Sequence, residues 1–313
     1  MRLVVQIPCL NEEATLPLVL KTIPKKIAGI DEIIIVVIDD GSTDKTVEVA
    51  KAHGVKHFVR HPARRGLGRS FHDGMNKALE LGADILVNTD GDNQYPGERI
   101  ADLIKPIMNG KADIVVADRQ THTIAHFSPF KKWLQRFGSK IVNMAATTNV
   151  PDAASGFRAY SRETLYKLNP TTSFSYCMET IIQAGNKGLA ITSIPVKVNP
   201  KTRESRLFKS TGEHVYKSAS AIVRAFIMYR PYVIFVSIGS FLLVLGAIPF
   251  IRYGYFFLRH EHGSHLQSLL LGSILLIGSV LSFVLGIVAD LVRVNRFLAE
   301  QDLELAKHLR YDN

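Results

Sequence analysis

Asp90 and Asp92 have the residue types and the spacing that most directly indicate chemistry in this chain. They stand two positions apart immediately after the apolar segment ILVNT, which is typical of a buried strand. Two carboxylates at this spacing project around one turn, where they can hold a hard divalent cation that bridges a diphosphate. A calcium-binding EF-hand loop is excluded because Ala101 occupies its twelfth position, where that loop has a glutamate. For the isolated pair, the alternative is that the aspartates only cap the helix predicted after Pro96.

Three further polar clusters follow predicted strands, at residues 8–13 (PCLNEE), 39–44 (DDGSTD) and 117–120 (ADRQ). In a parallel sheet the carboxyl ends of the strands meet at one edge, and ligands bind just beyond that edge. We therefore expect these clusters and the TDGDNQ segment at residues 89–94 to converge on one rim.

The first 200 residues alternate β-branched segments with amphipathic segments, which predicts an α/β fold with a mainly parallel sheet covered on both faces. The predicted strands are residues 3–7, 33–38, 57–60, 85–89 and 114–117. The predicted helices are residues 14–21, 45–53, 70–81 and 99–108.

Composition and charge narrow the function classes. Cys9 and Cys177 are far apart and lack CxxC spacing, so neither a disulfide framework nor a zinc site is indicated. A dinucleotide site would need a glycine-rich turn before the first helix, but that turn is PCLNEE. The formal charge of +10 is unevenly placed, since residues 201–230 contain seven basic and two acidic residues. Next to an apolar segment, this excess favours anionic lipid headgroups over nucleic acid, and no nucleic-acid partner is expected.

Two uncharged segments, residues 231–251 and 266–289, predict transmembrane helices, because each is long enough to cross roughly 30 Å of hydrocarbon. Basic residues precede the first segment and follow the second segment. This pattern favours an integral membrane protein with two spans, whose large N-terminal domain and both termini are cytoplasmic.

Four segments in order, IPCLNEE, VVIDDGSTDKT, TDGDNQYPGE and SGFRAY, resemble glycosyltransferase family 2, whose members have the GT-A fold. Within that family the chain is similar to the dolichol phosphate mannose synthase and polyprenyl phosphate glycosyltransferase branch, over about residues 2–210. Together with the apolar pattern, the expected organisation is a GT-A (Rossmann-like) domain, a basic amphipathic juxtamembrane helix, a two-helix transmembrane anchor and a cytoplasmic amphipathic tail. These parts occupy residues 1–210, 211–230, 231–292 and 293–313. The juxtamembrane helix and the tail are expected to lie flat on the membrane.

The resemblance implies a nucleotide site and a metal site. In the family, the segments matching PCLNE and the paired aspartates of DDGSTD hold the base and the ribose. The implied nucleotide-binding residues are Pro8, Asn11, Glu12, Asp39, Asp40 and Asp90. Asp92 and Gln94 match the family's Asp-x-Asp-x-Gln pattern and would bind Mg²⁺ or Mn²⁺. For Asp39 and Asp40, a simple turn is the alternative.

Asp152 and Arg158 lie in DAASGFR, which resembles the family's DPTSGFR segment with two alanines in place of Pro-Thr. In family members that glycosylate hydroxyl groups, the residue matching Asp152 is a general base. A phosphate monoester is already mostly dianionic at pH 7, so our hypothesis is that no protein base is required. Asp152 would then orient Arg158 or the acceptor loop. The predicted catalytic residues are Asp90, Asp92, Asp152 and Arg158.

Basic residues at three places are candidates for binding the acceptor phosphate. Arg119 follows the fifth predicted strand. Lys132 and Arg136 belong to a basic stripe beside an apolar one, a pattern that an ordinary amphipathic helix also shows. Arg203 and Arg206 lie in a segment that resembles the family's basic loop before the membrane.

The expected activity is inverting, metal-dependent transfer of a sugar from a nucleotide diphosphate sugar to a polyprenyl phosphate, either undecaprenyl or dolichyl phosphate. The alternatives are a catalytically inactive membrane subunit that binds nucleotide sugars, and a family 2 transferase with another lipid or a polysaccharide acceptor. A processive polysaccharide synthase would need a QxxRW motif, but the sole tryptophan, Trp133, lies in KKWLQRF. The sequence leaves open UDP against GDP, the sugar, the polyprenyl chain and whether the protein is a homo-oligomer.

Overall fold

The structure, a computed structural model, describes residues 1–121, 129–171, 176–200, 220, 223, 227–260 and 265–312; within the range 129–134 it describes the side chains of residues 132 and 133 only. The strands in these ranges are β1 (Arg2–Cys9), β2 (Glu32–Asp39), β3 (His57–Arg60), β4 (Ile85–Asn88), β5 (Ile114–Asp118), β6 (Arg158–Ser161) and β7 (Ile191–Pro195). The helices are α1 (Leu16–Thr22), α2 (Thr46–Ala52), α3 (Leu67–Glu80), α4 (Ile100–Met108), α5 (Pro129–Ala146), α6 (Arg162–Lys167), α7 (Tyr176–Asn186), α8 (Pro231–Leu258) and α9 (Leu266–Tyr311).

The described strands form one sheet in the order β3-β2-β1-β4-β6-β5-β7. β1 lies between β2 and β4 and is parallel to both, and the pairs β2–β3 and β5–β7 are also parallel. β1, β2 and β5 are rich in Val and Ile, whose branched side chains suit a sheet that is buried on both faces. Leu3, Val5 and Ile7 are accordingly fully buried. The predicted mainly parallel α/β fold is confirmed.

β6 is the exception, because it runs antiparallel to both neighbours, β4 and β5. Its first residue, Arg158, pairs with Asn88 at the carboxyl end of β4. The segment before β6 therefore lies at the same rim as the segment after β4. The sequence patterns did not predict β6, which has only four residues, nor β7, α6 and α7.

The predicted strands and helices before residue 118 are present, with ends shifted by up to three residues. The largest shift is at α3, which begins at Leu67 rather than at residue 70. Gly66 precedes it with a φ of +96°, a conformation that glycine adopts without the steric cost of a side chain. The GLG segment therefore enters the helix instead of forming a loop.

α8 and α9 are both long and apolar enough to cross a membrane, in agreement with the two predicted spans. Within the compact unit of residues 226–299, small residues let these helices approach each other closely. A Cβ atom on Gly239 would stand 2.8 Å from the ring of Phe283, and the Ser279 hydroxyl donates to the carbonyl of Gly239 at 2.7 Å. Small residues and such hydrogen bonds are typical of helix pairs in lipid.

The last part of α9 corrects the expectation for the tail. The sequence predicts that the amphipathic tail at residues 293–313 lies flat on the membrane, and in the structure α9 continues through most of this tail to Tyr311. Its residues 300–311 pack with the N-terminal domain in one compact unit. Glu300, for example, forms an ion pair with Lys187 at 3.0 Å. Side chains that the sequence pattern assigned to a lipid surface are therefore used in a protein contact.

Lys307 is the central residue of this contact. Its side chain is 6% exposed, and its ammonium donates to the carbonyl oxygens of Leu165, Tyr166 and Leu168 at 3.1, 3.2 and 2.8 Å. These carbonyls belong to the end of α6, where the last carbonyl groups of a helix have no partner within the helix and attract cations. Lys307 thus caps α6 and joins the end of α9 to the domain.

We predict that Lys307→Met weakens this contact, because the three carbonyl groups lose a charged donor. A loss of about 2 kcal/mol in local stability is expected, which makes amide hydrogen exchange in residues 300–312 roughly thirtyfold faster. Mass spectrometry of the exchanged full-length protein in detergent measures the change. Lys51→Met, at an exposed position of α2, is the control and should exchange as the wild type does. Unchanged exchange in the Lys307 variant would contradict the capping role.

Candidate active site

The loops after β1 and β2 are joined by hydrogen bonds between side chains and backbone. The backbone amide of Asn11 donates to the Ser42 hydroxyl at 3.0 Å, and the backbone amide of Thr43 donates to the side-chain oxygen of Asn11 at 2.8 Å. Asn11 has a φ of +57°, which asparagine tolerates better than most residues. The Glu12 amide donates to the Thr46 hydroxyl at 2.8 Å. These bonds make one continuous rim of two predicted polar clusters.

Pro8 and Asp39 lie at this rim, at the carboxyl ends of β1 and β2. Pro8 is half-buried, and the Asp39 side chain is buried. One Asp39 oxygen accepts a hydrogen bond from the Ser42 amide at 2.9 Å, and the other lies 3.5 Å from Nε of Arg60. Both residues therefore lie at the rim that the polar clusters form, and their contact with a nucleotide stays a prediction.

The contacts of Asp40 in the structure differ from the nucleotide contact that the resemblance implies. One carboxylate oxygen accepts from the Arg65 amide at 2.8 Å and lies 2.8 Å from Nδ1 of His61. The other accepts from the Gly66 amide at 2.9 Å. Because both oxygens are engaged inside the domain, Asp40 positions the loop before α3, and its predicted contact with a nucleotide stays a prediction.

Carboxylates crowd the rim around Cys9. Burial, and then the carboxylates of Glu12, Asp39 and Asp90, raise the pKa of the buried Cys9 thiol well above its ordinary value. Gly91 permits the crowding, because a Cβ atom there would stand 3.1 Å from Sγ of Cys9 and 3.1 Å from Cγ of Glu12. The rim thus has a negative potential that repels a diphosphate unless a cation is also bound.

Asp90 lies beside the loop that precedes β6. A Cβ atom on Gly156 would stand 3.3 Å from each carboxylate oxygen of Asp90, so glycine leaves room for this carboxylate. The amide nitrogen of the Asn88 side chain donates to the Gly156 carbonyl at 2.9 Å and to the Tyr176 hydroxyl at 2.6 Å. The place of Asp90 is therefore fixed by contacts between segments that are distant in sequence.

Asp92 and Gln94 lie side by side and are half-buried. The backbone amide of Gln94 donates to one Asp92 oxygen at 3.1 Å, and its side-chain nitrogen donates to the other at 2.8 Å. Asn93 between them has a φ of +61°, which turns the two side chains toward each other. Carboxylate and amide oxygens are ligands that Mg²⁺ and Mn²⁺ accept, so these residues fit such a cation. A cation shared by both residues requires the Gln94 amide to rotate and present its oxygen.

Asp152 is paired with Arg119, a residue that the sequence assigns to the acceptor phosphate. Nε and Nη2 of Arg119 donate to the two Asp152 oxygens at 2.7 and 2.9 Å. Burial alone would raise the pKa of the Asp152 carboxyl, but the guanidinium of Arg119 holds this pKa below its ordinary value. The structure thus pairs Asp152 with Arg119, whereas the sequence analysis expected Asp152 to orient Arg158 or the acceptor loop. A carboxylate with a lowered pKa is also a weak general base.

Arg158 is fully buried. Its guanidinium donates to the carbonyl oxygens of Ser155, Cys177 and Ala153 at 2.7, 2.7 and 2.8 Å, and to the Thr180 hydroxyl at 3.0 Å. These bonds join the loop before β6 to α7. We therefore correct the predicted catalytic role, since Arg158 is a positioning residue whose donors are used inside the protein.

The helix α5, which carries further predicted basic residues, contacts the loop before β6. Lys132 is half-buried and Arg136 is exposed. The Ser139 hydroxyl of this helix accepts from the Ala153 amide at 3.2 Å, so α5 supports the segment that contains Asp152. Arg203 and Arg206, the other candidates for the acceptor phosphate, lie outside the described residues.

Tyr95 is a site residue that the sequence analysis missed. Its buried hydroxyl accepts from the Gly156 amide at 3.0 Å and joins the Asp92–Gln94 turn to the loop before β6. Burial raises the pKa of Tyr95 well above its ordinary value, so the hydroxyl stays protonated. The sequence held one signal that could have identified Tyr95, because it is an aromatic residue in a polar loop, directly after Gln94.

The mainly parallel sheet with one antiparallel strand thus carries a carboxylate-rich rim beyond β1, β2 and β4, where open α/β sheets bind their ligands. The model of glycosyl transferase family 2 matches residues 4–168, so the chain belongs to this family. The predicted family and the predicted enzyme class, a glycosyltransferase, are confirmed.

Relatives with assigned activities agree with the predicted branch of this family. The UDP-N-acetylglucosamine–dolichyl-phosphate N-acetylglucosaminyltransferase of Methanococcus voltae is 31% identical over 212 residues, covering 61% of this chain and 83% of that protein. The polyprenol monophosphomannose synthase of Mycolicibacterium smegmatis is 26% identical over 225 residues, covering 68% of this chain and 83% of that protein.

Solved structures of low sequence identity share the fold. The glucosyl-3-phosphoglycerate synthase of Mycobacterium tuberculosis, in complex with Mn²⁺, UDP and glucosyl-3-phosphoglycerate, has a TM-score of 0.57 and 22% identity, covering 72% of this chain and 78% of that chain. The same synthase in complex with Mg²⁺ and UDP has a TM-score of 0.54 and 20% identity, over 72% and 78%. These likenesses confirm the predicted GT-A fold.

We predict that Arg119→Met and Asp152→Leu are each far more destabilising than the two changes together. Arg119→Met leaves the buried Asp152 carboxylate without its partner, which costs about 3–5 kcal/mol. Asp152→Leu leaves the half-buried Arg119 guanidinium unpaired, which costs somewhat less, whereas the double change leaves no unpaired charge. Denaturant unfolding of the full-length protein, arranged as a double-mutant cycle, measures the difference. The deficit of Arg119→Met should shrink as the pH is lowered, because the unpaired Asp152 has a raised pKa and becomes neutral. Additive single effects would contradict a mutual dependence of these two charges.

Proposed function

We propose that the protein transfers a hexose from a UDP- or GDP-sugar to a polyprenyl phosphate, undecaprenyl or dolichyl phosphate, with inversion at the anomeric carbon. The observation that carries this proposal is the acidic donor rim around Asp90 and Asp92 in a chain that also has two helices apolar enough to cross a membrane. The named activities of the two relatives support the lipid phosphate as acceptor. The product would be a polyprenyl phosphate sugar for glycan or cell-envelope assembly.

The donor site would be formed by the rim residues. Pro8, Asn11, Glu12 and Asp39 would hold the base and the ribose, and Asp90 would approach the ribose and the diphosphate. Asp92 and Gln94 would hold Mg²⁺ or Mn²⁺, which would neutralise the charge of the departing nucleotide diphosphate. The Mn²⁺ and Mg²⁺ complexes of the structural neighbour support a divalent cation.

The acceptor phosphate would be bound by cationic side chains next to the donor. We assign Arg119 to this role with Asp152 as its positioning partner, because the bidentate pair fixes the guanidinium at the end of β5. Lys132, Arg136, Arg203 and Arg206 remain proposed contributors. The acceptor attacks as a dianion, so no proton has to be removed by the protein.

The two apolar helices would anchor the enzyme as an integral membrane protein with two spans. Because basic residues precede the first span and follow the second span, the catalytic domain and both termini would be cytoplasmic. This arrangement would give the domain access to soluble nucleotide sugars and to the phosphate group of a membrane lipid.

We predict that Asp92→Asn lowers transfer by roughly a hundredfold or more, because a neutral amide is a poor ligand for a hard cation. The assay offers the detergent-purified protein a panel of UDP- and GDP-sugars with undecaprenyl or dolichyl phosphate and weighs the lipid products by mass spectrometry. Glu98→Gln, an exposed carboxylate nearby, is the matched control and should retain activity. Full activity of Asp92→Asn, or of the wild type in excess chelator, would refute the metal assignment.

We predict that the acidic limb of the pH–rate profile reports the acceptor and not Asp152. The pKa of Asp152 is held below its ordinary value, so this carboxylate stays ionised where a phosphate monoester with a second pKa near 6 becomes monoanionic and reacts more slowly. A phosphonate acceptor of different pKa should shift the limb, and Asp152→Asn should retain the limb in its residual activity. A limb that ignores the acceptor but disappears in Asp152→Asn would identify Asp152 as the base.

A further inference from the structure

The end of α9 and the start of α6 bring together two carboxylates and an imidazole. Glu304 and His308 stand four residues apart on α9, so they lie on the same face of that helix, and Glu163 belongs to the first turn of α6. One side-chain ligand atom from each of the three residues lies within 4.8 Å of the other two. We call this group the α6–α9 cluster. Because Glu163 is exposed and the other two residues are half-buried, the cluster is open to a cation from solvent.

The ring of His308 is held in the way that is usual for a histidine bound to a metal. Its Nδ1 lies 2.8 Å from a carboxylate oxygen of Asp312, and the ring contacts that of Tyr166 with centroids 3.9 Å apart. A metal-ligating histidine almost always donates its other ring N–H to a carboxylate, a carbonyl or a water, which fixes the tautomer. With Nδ1 as the donor to Asp312, Nε2 carries the lone pair that a cation requires.

Asp312, which lies outside the cluster, is itself fixed. Its other carboxylate oxygen accepts hydrogen bonds from the Tyr166 hydroxyl and from Nη2 of Arg162, the latter at 2.9 Å. The hydrogen bonds from Tyr166, His308 and Arg162 hold the pKa of the Asp312 carboxyl well below its ordinary value. Asp312 is therefore ionised at neutral pH and makes the imidazole a more basic ligand.

Lys167 contacts one member of the cluster. Its ammonium lies 2.8 Å from Oε1 of Glu163, four residues earlier on α6. This ion pair uses only one of the two Glu163 oxygens, and the Lys167 side chain is 28% exposed, so it can turn into water. Ion pairs of this kind on a helix surface contribute little stability. A divalent cation can therefore take the place of the ammonium.

We infer that the α6–α9 cluster is a structural site for a divalent cation of the Zn²⁺ class. Two carboxylate oxygens and one imidazole nitrogen suit Zn²⁺, and a water completes the four ligands. Ligands at about 2.0–2.2 Å from Zn²⁺ stand roughly 3.5 Å apart, so the three side chains have to close by about 1 Å. Mg²⁺ prefers six oxygen ligands and fits the cluster less well. Bound Zn²⁺ fastens the end of α9, the helix that contains the second apolar segment, to the domain.

Amide hydrogen exchange in residues 300–312 of the full-length protein in detergent tests the proposal, with the Kd for Zn²⁺ measured by calorimetric titration. Exchange is a local measure, because Zn²⁺ bound elsewhere in the chain does not protect this segment. At a Zn²⁺ concentration a hundred times its Kd, exchange should slow by up to about a hundredfold relative to EDTA, since the cation binds only the closed contact. The same concentration of Mg²⁺ should leave the exchange unchanged.

Variants separate this site from binding elsewhere, and each is compared with itself in EDTA so that a weakened contact is not mistaken for a lost site. Glu304→Gln and His308→Gln should each abolish the protection by Zn²⁺, whereas His53→Gln, an exposed histidine directly after α2, should retain it. Asp312→Asn should weaken Zn²⁺ binding about tenfold or more although it removes no ligand. Lys167→Gln should bind Zn²⁺ more tightly, because the competing ammonium is gone.

Three outcomes would overturn the proposal. Exchange in residues 300–312 that is the same in Zn²⁺ and in EDTA would show that the cluster binds no such cation. Protection that survives in both Glu304→Gln and His308→Gln would place the Zn²⁺ at other residues. Equal protection by Mg²⁺ and by Zn²⁺ would show that negative charge alone attracts the cation and that the imidazole of His308 is not a ligand.

Discussion

The concentration of carboxylates at the carboxyl ends of β1, β2 and β4 is the constraint on which the rest of the site depends. Glu12, Asp39 and Asp90 surround one buried thiol, and Asp92 stands two residues beyond Asp90. Like charges repel strongly in a partly buried site, and a diphosphate adds to that repulsion. Backbone amides that donate to Asp39 and Asp40 stabilise part of the charge. We propose that a divalent cation offsets the remaining negative potential when the donor binds.

The reversed strand β6 completes the site. Because it runs antiparallel between β4 and β5, the loop before it reaches the rim beside Asp90, and Arg158 joins that loop to α7 from inside. The same loop carries Asp152 to Arg119 at the end of β5. The acidic rim and the Arg119–Asp152 pair, which we propose to bind the donor and the acceptor, are thus brought together by one strand reversal. The pair of Asp152 and Arg119 also explains why a carboxylate in this position stays ionised.

Much of this arrangement follows from local sequence patterns. The Val- and Ile-rich segments at β1, β2 and β5 identified the strands, and the polar segments after them identified the rim. The patterns could not find β6, because four residues beginning with a buried arginine show neither periodicity nor an apolar segment. Local sequence patterns also could not assign the roles of Asp40 and Arg158. Asp40 bonds with Arg65 and Gly66, and Arg158 bonds with Cys177 and Thr180, partners that only the folded chain brings near.

We propose that a divalent cation makes the acidic rim able to bind a nucleotide diphosphate. Calorimetric titration of the purified full-length protein with UDP and with GDP, each in Mn²⁺ and in EDTA, tests it most directly. We expect the preferred nucleotide to bind roughly a hundredfold or more tightly with Mn²⁺ than in EDTA, and the corresponding nucleoside to bind equally in both conditions. Equal affinity of the nucleotide diphosphate with and without the metal would contradict it.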